Sequence, residues 1–381
     1  ARGAGLVTTG AWSPPALHAA VHRLNDALGN TGRTVVHTAP ACTDGAPIGD
    51  LIAAMARGEV TTLLMLGVNP AYDAPGFTDV LPRVALKLHA GLYQDETGLR
   101  ADWHMPLAHP LESWGDARSP DGTVGLMQPT VEPLYGGRAA AEILSLLFDD
   151  TPRTAEALLR AHWQGDAQDA AFLPRWQGWL RDGFVPGQTL PAETVTPVSA
   201  PTPAPAPASP PPPAAGDGGV TVVFRPDPTV WDGSLAGNAW LQELAKPLTK
   251  LVWQNAVTLA PALAARLRVT TGDVVALVHG GRRIEAPVWI MPGQADGVAG
   301  LTLGYGRAVP GHLADGLGYD ANALRGAATV WQLDGVRITP TGRRTALVTT
   351  QTHGTMEGHD FVRVQHAGAP PVGDPAPAAR P

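Results

Sequence analysis

The chain has 381 residues, enough for two ordinary domains with large cores. Its 44% hydrophobic content marks a folded chain, and its sparse charge (16%, formal net −7) argues against nucleic acid, which demands a basic patch. One cysteine, Cys42, excludes an internal disulfide, a cysteine-held iron–sulfur cluster and a Cys-x-x-Cys-His haem attachment.

From the N-terminus, strand and helix signals alternate. Gly5 to Thr9 reads as a short apolar strand. Ser13 is placed to cap a helix whose first turn holds Pro14 and Pro15, running to about Leu28 and ended by Gly29-Asn30-Thr31-Gly32. Thr34 to His37 reads as strand, Ile48 to Arg57 as helix, Val60 to Val68 and Val84 to His89 as strands, and Arg138 to Phe148 as an apolar helix. Unbroken apolar strands alternating with helices predict a parallel sheet covered on both faces. Trp163, Trp176 and Trp179 are expected to pack a small helical extension.

Between Pro191 and Pro213, ten of twenty-three residues are proline. Proline fixes φ and removes a donor, so this stretch reads as a polyproline-like spacer. Beyond it the pattern becomes β-rich. Val220–Phe224, Val257–Leu259, Val274–Val278, Ile284–Ile290, Val298–Leu303 and Thr329–Leu333 are expected strands, with a helical turn at Pro261–Leu267. The expected organisation is an αβα domain over 1–188, a linker over 189–218, a barrel over 219–366 and a tail over 367–381.

Several polar motifs invite a chemical reading. Asn69-Pro70 follows an apolar strand, where an open α/β sheet places ligand loops, but Asn-Pro also begins simple turns. Asp95-Glu96-Thr97, Asp102-Trp103-His104 and His109-Pro110-Leu111-Glu112 could do acid–base or metal chemistry. No nucleophile accompanies them, and buried polar residues that hold loops together explain them as well. His18 with His22, and His353 with Glu357 and His359, are incomplete metal sets. Gly304-Tyr305-Gly306 lacks the third glycine of a dinucleotide fingerprint. Cys42 has no neighbour that would stabilise a thiolate, so Cys42→Ser is expected to be silent.

Longer runs carry a resemblance. Leu251 to Ala256, Ala264 to Leu267 and Thr271 to Val275 resemble the molybdopterin dinucleotide-binding domain, a six-stranded double-psi β-barrel. Leu66 to Tyr72 resembles the strand and loop of molybdopterin oxidoreductases. Ala101 to Ala117, Asp121 to Thr123, Gln128-Pro129, Pro133 to Arg138 and Thr350 to Gly358 resemble one branch, the large iron–sulfur subunit of bacterial alternative complex III. The resemblance implies an α/β fold, a parallel-sheet αβα domain followed by that barrel. It implies a non-catalytic structural part of a quinol:cytochrome c (electron acceptor) oxidoreductase in respiratory or photosynthetic electron transfer, on the periplasmic side of the membrane. No catalytic or metal residue and no cofactor is expected in this chain; Asn69, Asp95, Glu96, Thr97 and Asn255 are vestigial pterin-loop candidates. Iron–sulfur clusters and haems would sit in adjoining portions or partners: a ferredoxin-like portion, multihaem and monohaem cytochrome c subunits, and a quinol-binding membrane subunit. The other reading is a portion of an active molybdenum bis-pterin oxidoreductase.

Overall fold

The computed structural model describes residues 2–10, 13–41, 45–149, 151–165, 170–195, 219–326 and 331–350. Cys42, Thr329, His353, Glu357, His359, residues 196–218 of the expected linker and the expected tail lie outside them.

Helix α1 (Pro15–Ala27) starts behind Pro14, which occupies the cap position without a side-chain acceptor. Ser13 instead bonds the Thr9 hydroxyl at 2.7 Å. Nor is the segment from Gly5 to Thr9 a strand. The Asn25 amide meets both backbone groups of Val7, at 3.0 and 2.8 Å, and so replaces a neighbouring strand. Asn30 to Val35 closes a turn, which moves the expected strand to β1 (His37–Thr38). Its antiparallel partner is β8 (Ala192–Glu193), two residues inside the stretch read as linker.

Helix α2 (Ile48–Arg57) ends at Gly58, whose φ of 74° lets its N–H return to the carbonyls of Ala54 and Met55. Strands β2 (Thr62–Leu66), β3 (Leu86–Gly91) and β4 (Trp103–Pro106) form a three-stranded parallel sheet in chain order. Two short helices, α3 (Pro70–Asp73) and α4 (Phe77–Val80), fill the first crossover. Strand β2 buries Leu63 and Met65 against Met55, Phe77, Leu81 and Val84, whereas Leu64 and Leu66 are half-buried.

The sheet stops at three strands. Strands β5 (Gly115–Arg118), β6 (Val124–Met127) and β7 (Phe184–Val185) make a separate antiparallel sheet. The expected helix from Arg138 shrinks to α5 (Ala140–Ser145), because the backbone of Arg138 bridges to Pro106 at the end of β4 and to Ala108 just after it. Helices α6 (Ala155–Gln164) and α7 (Phe172–Asp182) bring Trp163, Trp176 and Trp179 together beside Phe172, in the small helical extension expected of them.

From Val220 onward, β9 (Val220–Arg225), α8 (Ala239–Glu243), β10 (Val257–Leu259), α9 (Pro261–Leu267), β11 (Asp273–His279), β12 (Arg282–Ile290), β13 (Val298–Thr302) and β14 (Gln332–Arg344) follow. The six strands close a barrel in the order β10-β12-β11-β14-β9-β13. Two of its pairings, β10 with β12 and β9 with β13, are parallel. Val222, Phe224, Leu259, Leu277, Val288 and Leu301 fill it and are almost fully buried. Strand β14 extends to Arg344, well past the expected Leu333. Among the described residues no helix is long and apolar enough to cross a membrane.

Candidate functional site

The three parallel strands end together, and a crevice of about 490 Å³ opens at their carboxyl ends. This is where an open α/β sheet places its ligand loops. The loops after β2, β3 and β4 supply Asn69, Asp95, Leu107 and Pro110, and the barrel half supplies Asp232, Ser234, Arg307 and His312. Tyr93 meets the His312 ring edge-on, with centroids 5.4 Å apart.

Behind the crevice lies a buried polar cluster that joins the two halves. Glu96 accepts from Arg307 Nε at 2.8 Å and Nη2 at 2.7 Å, from Asn69 Nδ2 at 2.7 Å and from the Ala308 N–H at 3.0 Å. Burial alone would raise the Glu96 carboxyl, but the bonds from Arg307 and Asn69 outweigh it and hold it down at about 2. The third guanidinium nitrogen donates to the Gly233 carbonyl at 2.7 Å. The guanidinium also stacks over the Tyr72 ring, 4.7 Å from its centroid. Tyr72 in turn donates its hydroxyl to the Tyr305 carbonyl at 2.7 Å.

Asn69 Oδ1 accepts from the Thr97 hydroxyl at 2.7 Å and the Thr97 N–H at 3.1 Å. The Thr97 hydroxyl accepts from the Ala71 N–H at 3.0 Å. Asp95 turns one oxygen back to the N–H groups of Thr97 and Gly98. The structure therefore gathers Asn69, Asp95, Glu96 and Thr97 into one site. Asn255 stands apart: its amide bonds the backbone of Thr302 and Tyr319 inside the barrel half.

The remaining motifs have local duties. Asp102 pairs with the Lys87 backbone and ammonium. Glu112 accepts from the N–H groups of His109 and Leu134. His22 lies tilted against His37, with ring centroids 5.7 Å apart. No group of three His, Cys, Asp or Glu residues placed to hold a metal occurs among the described residues.

Tyr72, His89, Arg307 and His312 are among the site residues not identified from the sequence. Gly304-Tyr305-Gly306 carried an indirect signal. It marks close backbone contact: a Cβ on Gly306, at φ +69°, would stand 2.0 Å from the Asp320 nitrogen. Arg307 follows immediately.

A closed six-stranded barrel joined to a small parallel sheet is compatible with the fold of molybdopterin enzymes. Among solved structures, acetylene hydratase from Pelobacter acetylenicus is similar, with a TM-score of 0.51 and 13% identity over 76% of this chain. The chain spans 46% of that protein's length, and at this identity the likeness concerns the fold alone. No protein-family model matches the sequence, and no curated protein matches it.

The residues this chain contributes do not fit a phosphate-bearing pterin dinucleotide. Among the described residues, Asp73, Asp95 and Asp232 line the crevice, and its guanidinium, Arg307, is already paired with Glu96. A pyrophosphate there would face carboxylates, with no free cation among the described lining residues to balance them.

Proposed function

We propose that this chain is a non-catalytic structural part of a membrane-associated quinol:cytochrome c (electron acceptor) oxidoreductase of the alternative complex III type, one that keeps a molybdopterin-enzyme-like shape without the metal. The observation that carries the reading is the commitment of Asn69, Glu96 and Thr97 to one another and to Arg307. Groups that could hold a pterin in a loaded enzyme here bind the two halves together, which suits a rigid scaffold. The partners on this reading are a ferredoxin-like iron–sulfur portion, cytochrome c subunits and a quinol-binding membrane subunit, on the periplasmic side. Electrons then pass through clusters and haems in those neighbours.

The test is metal analysis and native electrophoresis of the protein purified with its native partners. The expected result is co-migration with haem-bearing subunits and no stoichiometric molybdenum. A free monomer with stoichiometric molybdenum and a releasable pterin overturns the reading in favour of an active molybdenum enzyme.

A further inference from the structure

His89 and His104 occupy paired positions on the neighbouring parallel strands β3 and β4. Their rings are stacked, with centroids 5.0 Å apart, and their Nδ1 atoms are 2.9 Å apart. A hydrogen bond between two Nδ1 atoms requires that one carry a proton and the other a lone pair. The neighbours decide which. His89 Nε2 lies 3.2 Å from the Val68 carbonyl, an acceptor only, so His89 Nε2 carries its proton and His89 Nδ1 is the lone pair. His104 must then be the Nδ1–H tautomer, with its Nε2 lone pair uncommitted among the described residues.

The two rings also differ in access. His89 is fully buried and lines the crevice, while His104 is half-buried. Asp95, another crevice residue, holds an oxygen 3.7 Å from His89 Nε2. Glycine is required on both sides of the pair. A Cβ on Gly98 would stand 2.9 Å from His89 Nδ1 and 3.1 Å from His104 Nδ1, and one on Gly91 would stand 2.8 Å from His89 Cε1.

We propose that His104 and His89 form a two-imidazole proton relay running from the half-exposed side of β4 to Asp95 in the crevice. A proton taken up at His104 Nε2 makes an imidazolium, which passes its Nδ1 proton across the 2.9 Å bond to His89 Nδ1. His89 becomes the imidazolium and releases its Nε2 proton to the Asp95 carboxylate. Each ring ends neutral with its two nitrogens exchanged, so one proton has crossed and no bond other than N–H or O–H has changed. Reverse passage returns the proton from Asp95 and restores both tautomers, so the relay equilibrates one proton between the two ends.

The charged groups around the pair leave Asp95 as the terminus. On the same strands, Lys87 and Asp102 neutralise each other. From the turn after Asp95, Arg100 is taken by the Glu96 carbonyl. From the barrel half, Arg307 is taken by Glu96 itself. Asp73 and Asp232 line the crevice, and Asp95 is the carboxylate within 4 Å of His89. Burial and the neighbouring His89 lower the affinity of His104 for a proton, and Asp95 partly restores it.

The experiment is NMR of the full chain labelled with ¹⁵N-histidine, using long-range ¹H–¹⁵N couplings that distinguish tautomers. The expected result is one Nδ1–H histidine (His104) bonded to one Nε2–H histidine (His89). In His104→Gln, exchange of the His89 ring proton with water is expected to slow severalfold. In Asp95→Asn, the His104 midpoint is expected to move to lower pH, because Asp95 favours the charged ring. If wild-type His89 and His104 are both Nε2–H, or if exchange at His89 is unchanged in His104→Gln, the relay is refuted. The wild-type tautomers decide the matter even if a variant fails to fold.

Discussion

Arg307 and Glu96, 211 residues apart in sequence, form a bidentate, almost fully buried ion pair that joins the barrel to the loop after the parallel sheet. Both oxygens of the carboxylate have further donors, and the third guanidinium nitrogen has the Gly233 carbonyl. A buried pair completed in this way fixes one relative placement of the two halves.

Removing one partner should therefore be costly. Arg307→Ala leaves Glu96 charged and buried and is expected to destabilise the protein by about 3–5 kcal/mol. Replacing both residues together, as in Glu96→Leu with Arg307→Met, should cost less than Arg307→Ala alone. Urea unfolding of the three proteins measures the difference.

The same pair sets an acid limit. Glu96 titrates at about 2 in the folded protein, below the ordinary glutamate value of 4.5. Its contribution to stability is thus complete above pH 4.5 and is lost as the pH falls from there towards 2. Glu96→Gln should flatten the stability profile over that window, as read from thermal melts between pH 5 and 2.5.

Asp320 has the opposite sign. Burial raises its carboxyl to about 6, against bonds from Asn322 that lower it. The folded state therefore binds this proton more tightly than the unfolded chain does. Stability from this group is gained as the pH falls from about 6 towards 3.8 and is lost as the pH rises through 6. Asp320→Asn should remove that gain, and melts recorded between pH 7 and 4 would detect it.

Two glycines with positive φ should behave differently. Gly306→Ala forces a Cβ to within 2.0 Å of the Asp320 nitrogen, a backbone atom that cannot step aside, and is expected to prevent the barrel half from closing on Tyr305 and Arg307. Gly293 has φ +87° but open space around it, so Gly293→Ala should cost only about 1 kcal/mol of backbone strain. Circular dichroism and melting of both variants test the contrast.

Within the barrel, Phe224 is fully buried among Val222, Leu301 and Leu333. Phe224→Ala is expected to cost about 3–5 kcal/mol, through lost transfer energy and a residual cavity. Chemical denaturation checks the magnitude.

Much of the fold was legible because its signals are local. Ile48–Arg57, Val257–Leu259 and Pro261–Leu267 fall where the patterning puts them, since a cap, a short β-branched run and a proline at a helix start act over a few residues. The expected strand at Gly5–Thr9 fails for a non-local reason: Asn25 supplies the hydrogen bonds that a partner strand would have supplied. The antiparallel sheet of β5, β6 and β7 was hidden because β7 joins it from far along the chain.

For the site, the sequence by itself determined which residues were chemically unusual: Asn69 after an apolar strand, and the run Asp95-Glu96-Thr97 in a chain poor in charge. It could not say what they were for, because a carboxylate's role depends on the partner it meets. Only the tertiary structure decided that Glu96 meets Arg307, that Asn255 goes elsewhere, and that His89 and His104 share a proton position. Those outcomes rest on contacts between residues distant in sequence and on burial, which makes each contact strong and each missing partner costly.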